Sequence, residues 1–182
     1  MLIFALVLLF VITSAFLGFL LTRVPFVPSR EYEIKFITKK LGISSNNVFY
    51  DLGSGNGKVC FLVNELTGAK CVGFELTWWA HLLAKIRLWW KINSPFSPSF
   101  EKRGAGGVKF KNQNFFKTDW LEANFIYAYL YPPVMGMVET KFIEDCKPGT
   151  IAIVKDFPFP NLKPQEIYKM PKRHEIYIYK KL

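Results

Sequence analysis

The residues with the clearest chemistry are one acid and three glycines near position 50. Asp51 closes a short apolar run, and Gly53, Gly55 and Gly57 follow at alternate positions before a helix-compatible segment. Glycine allows a backbone to adopt positive φ or to approach a ligand closely, and the N–H groups that begin a helix point across such a turn. The pattern predicts a strand, a tight turn and a helix that together bind a nucleotide-like cofactor.

A second acid follows at the distance that such a cofactor requires. Glu75 lies 22 residues beyond Gly53, at the end of a second apolar run. In an open α/β sheet, ligands bind outside the carboxyl ends of the strands. A carboxylate at that edge can accept hydrogen bonds from both ribose hydroxyls of an adenosine. We therefore expect Glu75 to bind the ribose.

The spacing of the glycines favours one cofactor over another. Dinucleotide sites use G-x-G-x-x-G, whereas this chain has Gly-Ser-Gly-Asn-Gly, with Asp51 two residues ahead of it. A carboxylate at the end of the first strand suits an ammonium group better than a pyrophosphate. S-adenosylmethionine has an amino-acid end and no phosphate, so the acid favours S-adenosylmethionine and disfavours NAD-dependent reduction.

The elements that must position these residues alternate between apolar strands and helices. Strands are predicted at 48–52, 70–75, 108–112, 125–130, 150–155, 165–170 and 174–180, and helices at about 30–41, 57–67, 77–91 and 133–146. Alternation of this kind predicts a parallel α/β sheet, and the last two strands, with no helix between them, predict an antiparallel hairpin at one edge.

The first 22 residues carry no charged side chain, and Arg23 is the first charge. Twenty-two residues at about 1.5 Å each give roughly 33 Å of helix, enough to cross a bilayer. The alternatives are a cleavable signal peptide, which normally has a basic start and a shorter apolar run, and a buried core helix. The predicted organisation is a transmembrane anchor at 1–22, a linker and helix at 23–47, and an S-adenosylmethionine-binding domain at 48–182.

Charge predicts on which side of a membrane the domain lies. No Lys or Arg precedes the apolar run, whereas several follow it closely: Arg23, Arg30, Lys35, Lys39 and Lys40. Because positive charge stays inside, the domain should face the cytoplasm, or the equivalent side of the mitochondrial inner membrane. The net charge of +10 also suits an anionic lipid surface. The basic residues are spread along the chain without a recognisable nucleic-acid module, so no nucleic-acid partner is expected.

Cysteines, histidines and tryptophans complete the composition. The three cysteines have no CxxC spacing and the two histidines lie far apart, so we expect reduced thiols and no metal site. Trp78-Trp79 and Trp89-Trp90 are eleven residues apart, about three helical turns, and should share a helix face. Either they pack in the core or they form an aromatic belt at a membrane surface.

The sequence resembles a known enzyme family. The segment from Tyr50 to Val59 is similar to motif I of the class I, seven-stranded S-adenosylmethionine-dependent methyltransferases. More narrowly, the chain resembles the small membrane-anchored FAM173-type protein-lysine methyltransferases and their bacterial relatives. The likeness covers nearly all residues after the apolar run, and it includes 25–29, 73–76, 114–117, 129–133, 157–160 and 176–179.

This resemblance implies a Rossmann-like seven-stranded methyltransferase fold with a set of cofactor-binding residues. These are Asp51, Gly53, Ser54, Gly55 and Gly57 around the glycine turn, Glu75 on the ribose, and Asn114 near the adenine. The family usually has Asp at the last position, and the side-chain oxygen of Asn can still accept the hydrogen bond of the adenine amine. Eukaryotic members methylate lysines of membrane-embedded mitochondrial proteins, which implies a membrane or membrane-proximal protein as the substrate.

Methylation of an amine adds a demand of its own. The transfer from a sulfonium is an in-line displacement, so the enzyme mainly positions the nucleophile and excludes water. A lysine ammonium must also lose a proton to a nearby acceptor or in a desolvated pocket. The best-placed residues are Tyr129, Tyr131 and Asp156, at the ends of two predicted strands.

Three functions remain open from the sequence. The first is a membrane-anchored methyltransferase acting on a protein lysine, and the second is a methyltransferase of a lipid or quinone-like small molecule. The third is a non-catalytic cofactor-binding protein with a role in assembly. The sequence does not name the methyl acceptor or the oligomeric state.

Overall fold

A computed structural model describes residues 29–93 and 107–182, together with the single positions 5, 6, 9 and 13. The helices of the two long ranges are α1 (Glu31–Lys40), α2 (Lys58–Thr67), α3 (Trp78–Asn93) and α4 (Met135–Asp145). The strands are β1 (Val48–Leu52), β2 (Lys70–Phe74), β3 (Val108–Lys111), β4 (Phe125–Ala128), β5 (Ile151–Lys155), β6 (Glu166–Met170) and β7 (His174–Lys180).

The seven strands form one mixed sheet in the order β3-β2-β1-β4-β5-β7-β6. The first five strands run parallel, and β7 pairs antiparallel with both β5 and β6. The predicted α/β fold with an antiparallel C-terminal hairpin is therefore confirmed. The strand order reverses at β1, so the carboxyl ends of β1, β2 and β4 meet at one point of the sheet edge.

The sheet separates two apolar cores. Successive side chains of a strand point to opposite faces, so Phe49 of β1 belongs to one core and Tyr50 to the other. Ile34 of α1 and Val63 of α2 fill the first core, and Phe142 of α4 packs in the second. The central strands are thus covered on both faces, as their continuous apolar runs predict.

The thiols agree with the expected reduced state. Cys60, Cys71 and Cys146 are free and buried in the two cores. Burial is the main cause that raises the pKa of each thiol, which therefore stays protonated in the core.

The predicted anchor at 1–22 lies outside the described residues, apart from four single positions. Within the part of the chain that the structure describes, no helix combines the length and the apolar character that a bilayer span needs.

Candidate active site

The glycine turn joins β1 to α2 at the reversal point of the sheet. The backbone N–H groups of Gly53 and Ser54 both donate to the Phe74 carbonyl of β2, each at 2.9 Å. Gly53, Gly55 and Gly57 all adopt positive φ, at 77°, 53° and 78°. The turn is therefore fixed to β2, in a conformation that side chains rarely adopt.

Close packing explains why two of these positions are glycine. A Cβ on Gly57 would lie 2.3 Å from the ring of Phe110, and a Cβ on Gly73 of β2 would lie 2.6 Å from Ser54 Oγ. Phe110 also packs edge-on against Phe61, with ring centroids 5.2 Å apart. The strand after α3 thus supports the turn from the side, a contact that the local motif does not reveal.

Asp51 lies in β1 beneath the turn and is only 3% exposed. Its Oδ2 lies 3.7 Å from Cys60 Sγ, the side-chain partner that the structure gives it. Burial raises the pKa of Asp51 to about 7, although the hydrogen bond from Cys60 opposes the shift. A carboxyl group this deeply desolvated gains free energy when a cation reaches it.

Glu75 binds the glycine turn to the start of α3. Its Oε2 accepts from Gly55 N at 2.9 Å and its Oε1 accepts from Thr77 N at 2.7 Å. Each carboxylate oxygen has a second lone pair, so both can still accept a hydroxyl hydrogen. The backbone contacts fix the orientation of the carboxylate in advance.

The remaining polar atom of the turn fits a ligand. Ser54 Oγ is buried and has no hydrogen-bond partner within the described residues. A buried hydroxyl without a partner is unfavourable unless a ligand or a water satisfies it. Together with the carboxylates of Asp51 and Glu75, it gives the donor and acceptor set that an amino-acid end and a ribose require, so these residues fit S-adenosylmethionine.

A cleft of about 390 Å³ opens beside the turn, within the size range of small-molecule sites. Its lining includes three predicted residues around the turn and one beyond β4, together with six others: Asp51, Gly53, Ser54 and Tyr129, with Ser29, Leu52, Asn56, Lys58, Val59 and Tyr127. Four predicted cofactor residues are not in the lining, although Gly55 and Glu75 bond to each other at its edge.

Sequence reasoning missed Ser29 and Tyr127. The two hydroxyls form a buried hydrogen bond of 2.7 Å, which attaches the segment before α1 to β4. Tyr127 alternates with Tyr129 along the strand direction and was therefore discoverable from the pattern. Ser29 carries no such signal, because its position depends on how α1 docks onto the sheet.

Tyr129 lies between an ammonium group and a second ring. Lys155 Nζ is 4.5 Å from the centre of its ring, and the ring of Phe157 stacks with it at 6.4 Å and 17°. Lys155 is itself buried and pairs with Glu33 of α1 at 2.5 Å. Burial raises the pKa of Tyr129 to about 12, and the carboxylate of Asp156 adds to the shift.

Asp156 follows β5 with a left-handed φ of 62°. Its Oδ2 lies 2.8 Å from His174 Nδ1, and its Oδ1 accepts from Glu175 N at 3.0 Å. Left-handed φ is costly for a non-glycine residue and is often found at functional sites. His174 is a partner that the sequence did not suggest, because the antiparallel pairing of β5 with β7 brings it there.

The structure separates two predicted residues from the cleft. Asn114 Oδ1 accepts from Phe116 N at 2.9 Å and caps the short 3-10 turn Phe115–Lys117, so that one of its lone pairs is occupied. Tyr131 is 41% exposed at the start of another 3-10 turn, Pro132–Val134. Neither residue lines the cleft.

Comparisons with known proteins agree with this geometry. Residues 51–166 match the family described as the ANTKMT methyltransferase domain. The chain is 27% identical to a protein-lysine N-methyltransferase of Saccharolobus islandicus, over 86% of this chain and 93% of that protein. It is 26% identical to a lysine N-methyltransferase of Rattus norvegicus that is named for an ATP synthase subunit, over 88% of this chain and 69% of that protein.

A solved structure supports the fold. An RNA methyltransferase from Salinibacter ruber, in complex with S-adenosyl-L-homocysteine, superimposes with a TM-score of 0.72 over 85% of this chain and 93% of that one, at 23% identity. The family match covers more than half of the chain, and the glycine turn and its two acids lie within it or at its first residue. The chain belongs to the ANTKMT methyltransferase domain family and is an S-adenosylmethionine-dependent methyltransferase.

Proposed function

We propose that this enzyme methylates a lysine side chain of a protein that lies in or beside a membrane. The observation that carries the proposal is the hydrogen-bonded group formed by Asp156 and His174, next to Tyr129 at the cleft. A lysine acceptor needs such a group, because its ammonium must lose a proton. Two relatives that cover most of this chain are named as lysine N-methyltransferases, which supports the same acceptor.

The cofactor residues follow from the geometry of the turn. S-adenosylmethionine, when bound, supplies a methyl group on a positively charged sulfur. Asp51 would bind its ammonium, Glu75 its ribose hydroxyls, and Ser54 Oγ a polar group of the amino-acid end. Asn114 remains a proposed contact of the adenine through its second oxygen lone pair.

The residues around the acceptor divide into two roles. Because its pKa is about 12, Tyr129 keeps its proton at neutral pH and acts as a hydrogen-bonding and packing group. Asp156 is the proposed acceptor of the lysine proton, and His174 holds the carboxylate in place through Nδ1. Since Tyr131 is exposed outside the cleft, its proposed role is contact with the incoming protein chain.

Membrane attachment is the second part of the proposal. The uncharged run at 1–22 is long enough to span a bilayer, and the charges that follow it favour the cytoplasmic side or its mitochondrial equivalent for the domain. An anchor at this position would hold the cleft close to the surface from which a membrane protein presents its lysines.

The acceptor can be identified by labelling. The full chain is incubated with membranes of its source and with S-adenosylmethionine that carries a tritiated methyl group; lipid and protein are then separated and labelled peptides are sequenced. The expected label is on lysine in a membrane-associated protein. Glu75→Ala, which removes the proposed ribose contact, is the matched inactive control.

Each other outcome replaces a part of the proposal. Label found in extracted lipid alone would make a lipid or quinone-like molecule the acceptor. Label on a protein residue other than lysine would contradict the lysine assignment. Cofactor binding without label in any fraction would indicate a binding protein with a role in assembly.

A further inference from the structure

Helix α3 is oriented in an unusual way. It buries only Ala80 and Ala84, whereas α4 buries Phe142 and other large side chains. The large apolar side chains of α3 are on the outside, where Trp89 is 59% and Trp90 63% exposed. A surface helix normally directs its larger apolar residues toward the core. In α3 the arrangement is reversed.

The exposed residues form one stripe. At about 100° per residue, Trp89, Leu82, Ile86 and Trp90 fall within a sector roughly 100° wide, opposite the buried alanines. Leu83 lies at the edge of this sector and is also exposed. We name these five residues the α3 stripe. An apolar surface of this size on a folded domain indicates a binding partner.

The charges beside the stripe indicate what kind of partner binds. Lys85 and Arg87 are exposed and lie on its two flanks, and Lys91 follows on the inner side. No Asp or Glu occurs from residue 76 to 93. A partner that complements this helix is therefore apolar at its centre and anionic around it. Tryptophan on an apolar face with flanking cations is typical of helices that lie in a membrane interface.

The position of the helix gives the stripe a role. Thr77 N, immediately before α3, donates to Glu75 Oε1 at 2.7 Å, so the start of the helix is attached to the proposed ribose residue. A membrane bound by α3 would therefore lie beside the edge of the sheet that carries the cleft.

We propose that the α3 stripe inserts into the headgroup region of an anionic bilayer, with Lys85 and Arg87 toward the lipid phosphates. The residues of α3 alone carry this assignment. Its consequence, that the accepting lysine lies close to the membrane surface, rests on the proposed function.

The test uses the full chain in vesicles of phosphatidylglycerol and phosphatidylcholine, the latter brominated in the upper acyl chain. Bromine quenches tryptophans that reach the interface, and acrylamide quenches those that remain in water. Trp120 is completely buried and provides an internal reference that neither quencher should reach. We expect strong quenching by bromine and protection from acrylamide in the vesicles.

The variant Trp89→Phe/Trp90→Phe identifies the source of the signal, and it should lose most of the quenching by bromine. Leu82→Ser/Ile86→Ser, which keeps all five tryptophans, should shift the remaining quenching from bromine to acrylamide. The matched control is Leu121→Ser/Ile167→Ser, at two positions that are 56% and 51% exposed outside α3, and it should behave as the wild type. Circular dichroism and cofactor binding verify that each variant is folded.

Several results would overturn the inference. Quenching by acrylamide but not by bromine in the vesicles would mean that the stripe does not enter lipid. Protection from acrylamide without lipid would mean that protein covers it: a second copy if the protection rises with concentration, or another segment of the same chain if it does not. The labelling experiment is independent, so loss of bromine quenching with lysine label retained rejects only the stripe, and the reverse rejects only the acceptor.

Discussion

At the scale of single residues, the site depends on carboxylates whose surroundings differ. Asp51 is buried with a thiol as its side-chain partner, Glu75 is held by two backbone N–H groups, and Asp156 is paired with His174. The first gains most from a cation, the second is positioned in advance for hydroxyls, and the third lies beside Tyr129. These differences predict different effects of substitution.

Cofactor binding should depend on pH through Asp51. Its pKa of about 7 in the free protein means that the carboxyl group carries a proton below that value. An ammonium group favours the carboxylate, so binding releases this proton, and the affinity should rise with pH by at most about tenfold per unit until about pH 7. Isothermal titration calorimetry in buffers of different ionisation enthalpy measures the affinity and the proton together.

Asp51→Asn supplies the control for this prediction. It should bind the cofactor more weakly and lose both the proton release and the rise in affinity. A wild-type affinity that stays constant between pH 5 and pH 7 would show that Asp51 does not meet the ammonium group.

Asp156→Asn should separate catalysis from binding. An amide in place of the carboxylate cannot take up the lysine proton, so we expect kcat to fall on the order of a hundredfold. The cofactor Kd should stay within about twofold of the wild type, because Asp156 does not line the turn. Steady-state kinetics and calorimetry measure the two quantities.

The matched control is Asp145→Asn. Asp145 is also a partly exposed carboxylate in an ion pair, with Lys141 on α4, and it lies outside the cleft. Its kcat should remain near the wild-type value. Equal losses in the two variants would mean that the effect of Asp156 is structural.

At the scale of elements, the site is held by contacts between segments that are distant in the chain. Phe110 of β3 packs against the glycine turn, and Glu33 of α1 reaches Lys155 of β5. Both contacts lie next to the proposed cofactor and acceptor sites. The stability of the cleft therefore depends on how α1 and β3 dock onto the central strands.

Gly57→Ala should destabilise the protein more than Gly42→Ala. Both glycines adopt positive φ, but an added Cβ meets nothing within 4 Å at Gly42, whereas at Gly57 it overlaps Phe110. The strained backbone alone costs about 1–2 kcal/mol in the free energy of unfolding, and the overlap should raise the loss at Gly57 to roughly 2–4 kcal/mol. Urea unfolding of both variants gives the difference.

A third variant isolates the overlap. Adding Phe110→Leu to Gly57→Ala should recover part of the loss, since the smaller side chain can move away from the new methyl group. If the two glycine variants lose the same free energy, the contact with Phe110 has no role in holding the turn.

Glu33→Gln should reveal the strength of the buried ion pair. The amide keeps the shape and can still accept the hydrogen bond from Arg30 N, but it leaves the buried Lys155 ammonium without its counter-charge. Breaking a buried pair from one side costs about 3–5 kcal/mol. The free energy of unfolding in urea is the measurement.

The exposed pair between Lys35 and Glu31 is the control, because both side chains are 54% exposed. Lys35→Ala should cost less than about 1 kcal/mol. A small loss in both variants would mean that water reaches Lys155 in solution and that α1 is not fixed by this pair.

At the scale of the whole molecule, a net charge of +10 accompanies an exposed apolar stripe on one helix. The charge acts over a distance and attracts an anionic surface, whereas the stripe acts only on contact. The two effects are separable because salt screens the first much more than the second.

Salt should slow the association of the chain with anionic vesicles. Between about 0.1 M and 1 M NaCl the screening length falls from about 10 Å to about 3 Å, and the association rate should drop by on the order of tenfold. Stopped-flow energy transfer from tryptophan to a dansyl lipid measures the rate. Neutral vesicles should show little change, and equal salt dependence for both lipids would exclude electrostatic attraction to the bilayer.

Much of the fold was predictable because its signals are local. Each strand of the sheet is a short apolar run, and the glycine turn with Asp51 lies within a dozen residues. Glu75 follows one element later, at a spacing that the first βα unit fixes. Alternation of strands and helices then leaves few sheet topologies, and the observed one is among them.

Partners that are distant in sequence were not predictable. Ser29 and Tyr127 are 98 positions apart, and Glu33 and Lys155 are 122 apart. His174 reaches Asp156 only because β7 runs antiparallel to β5. The sequence shows these residues as isolated polar side chains, and their meaning depends on which strands become neighbours.

The sequence by itself determined the family resemblance, the order of the elements and the cofactor turn, because neighbouring residues encode them. Tertiary structure decided which face of α3 carries its tryptophans outward and which residues surround the acceptor. The physical reason is that a helical period gives a face without its direction, and only packing of Ala80 and Ala84 on the described domain fixes that direction.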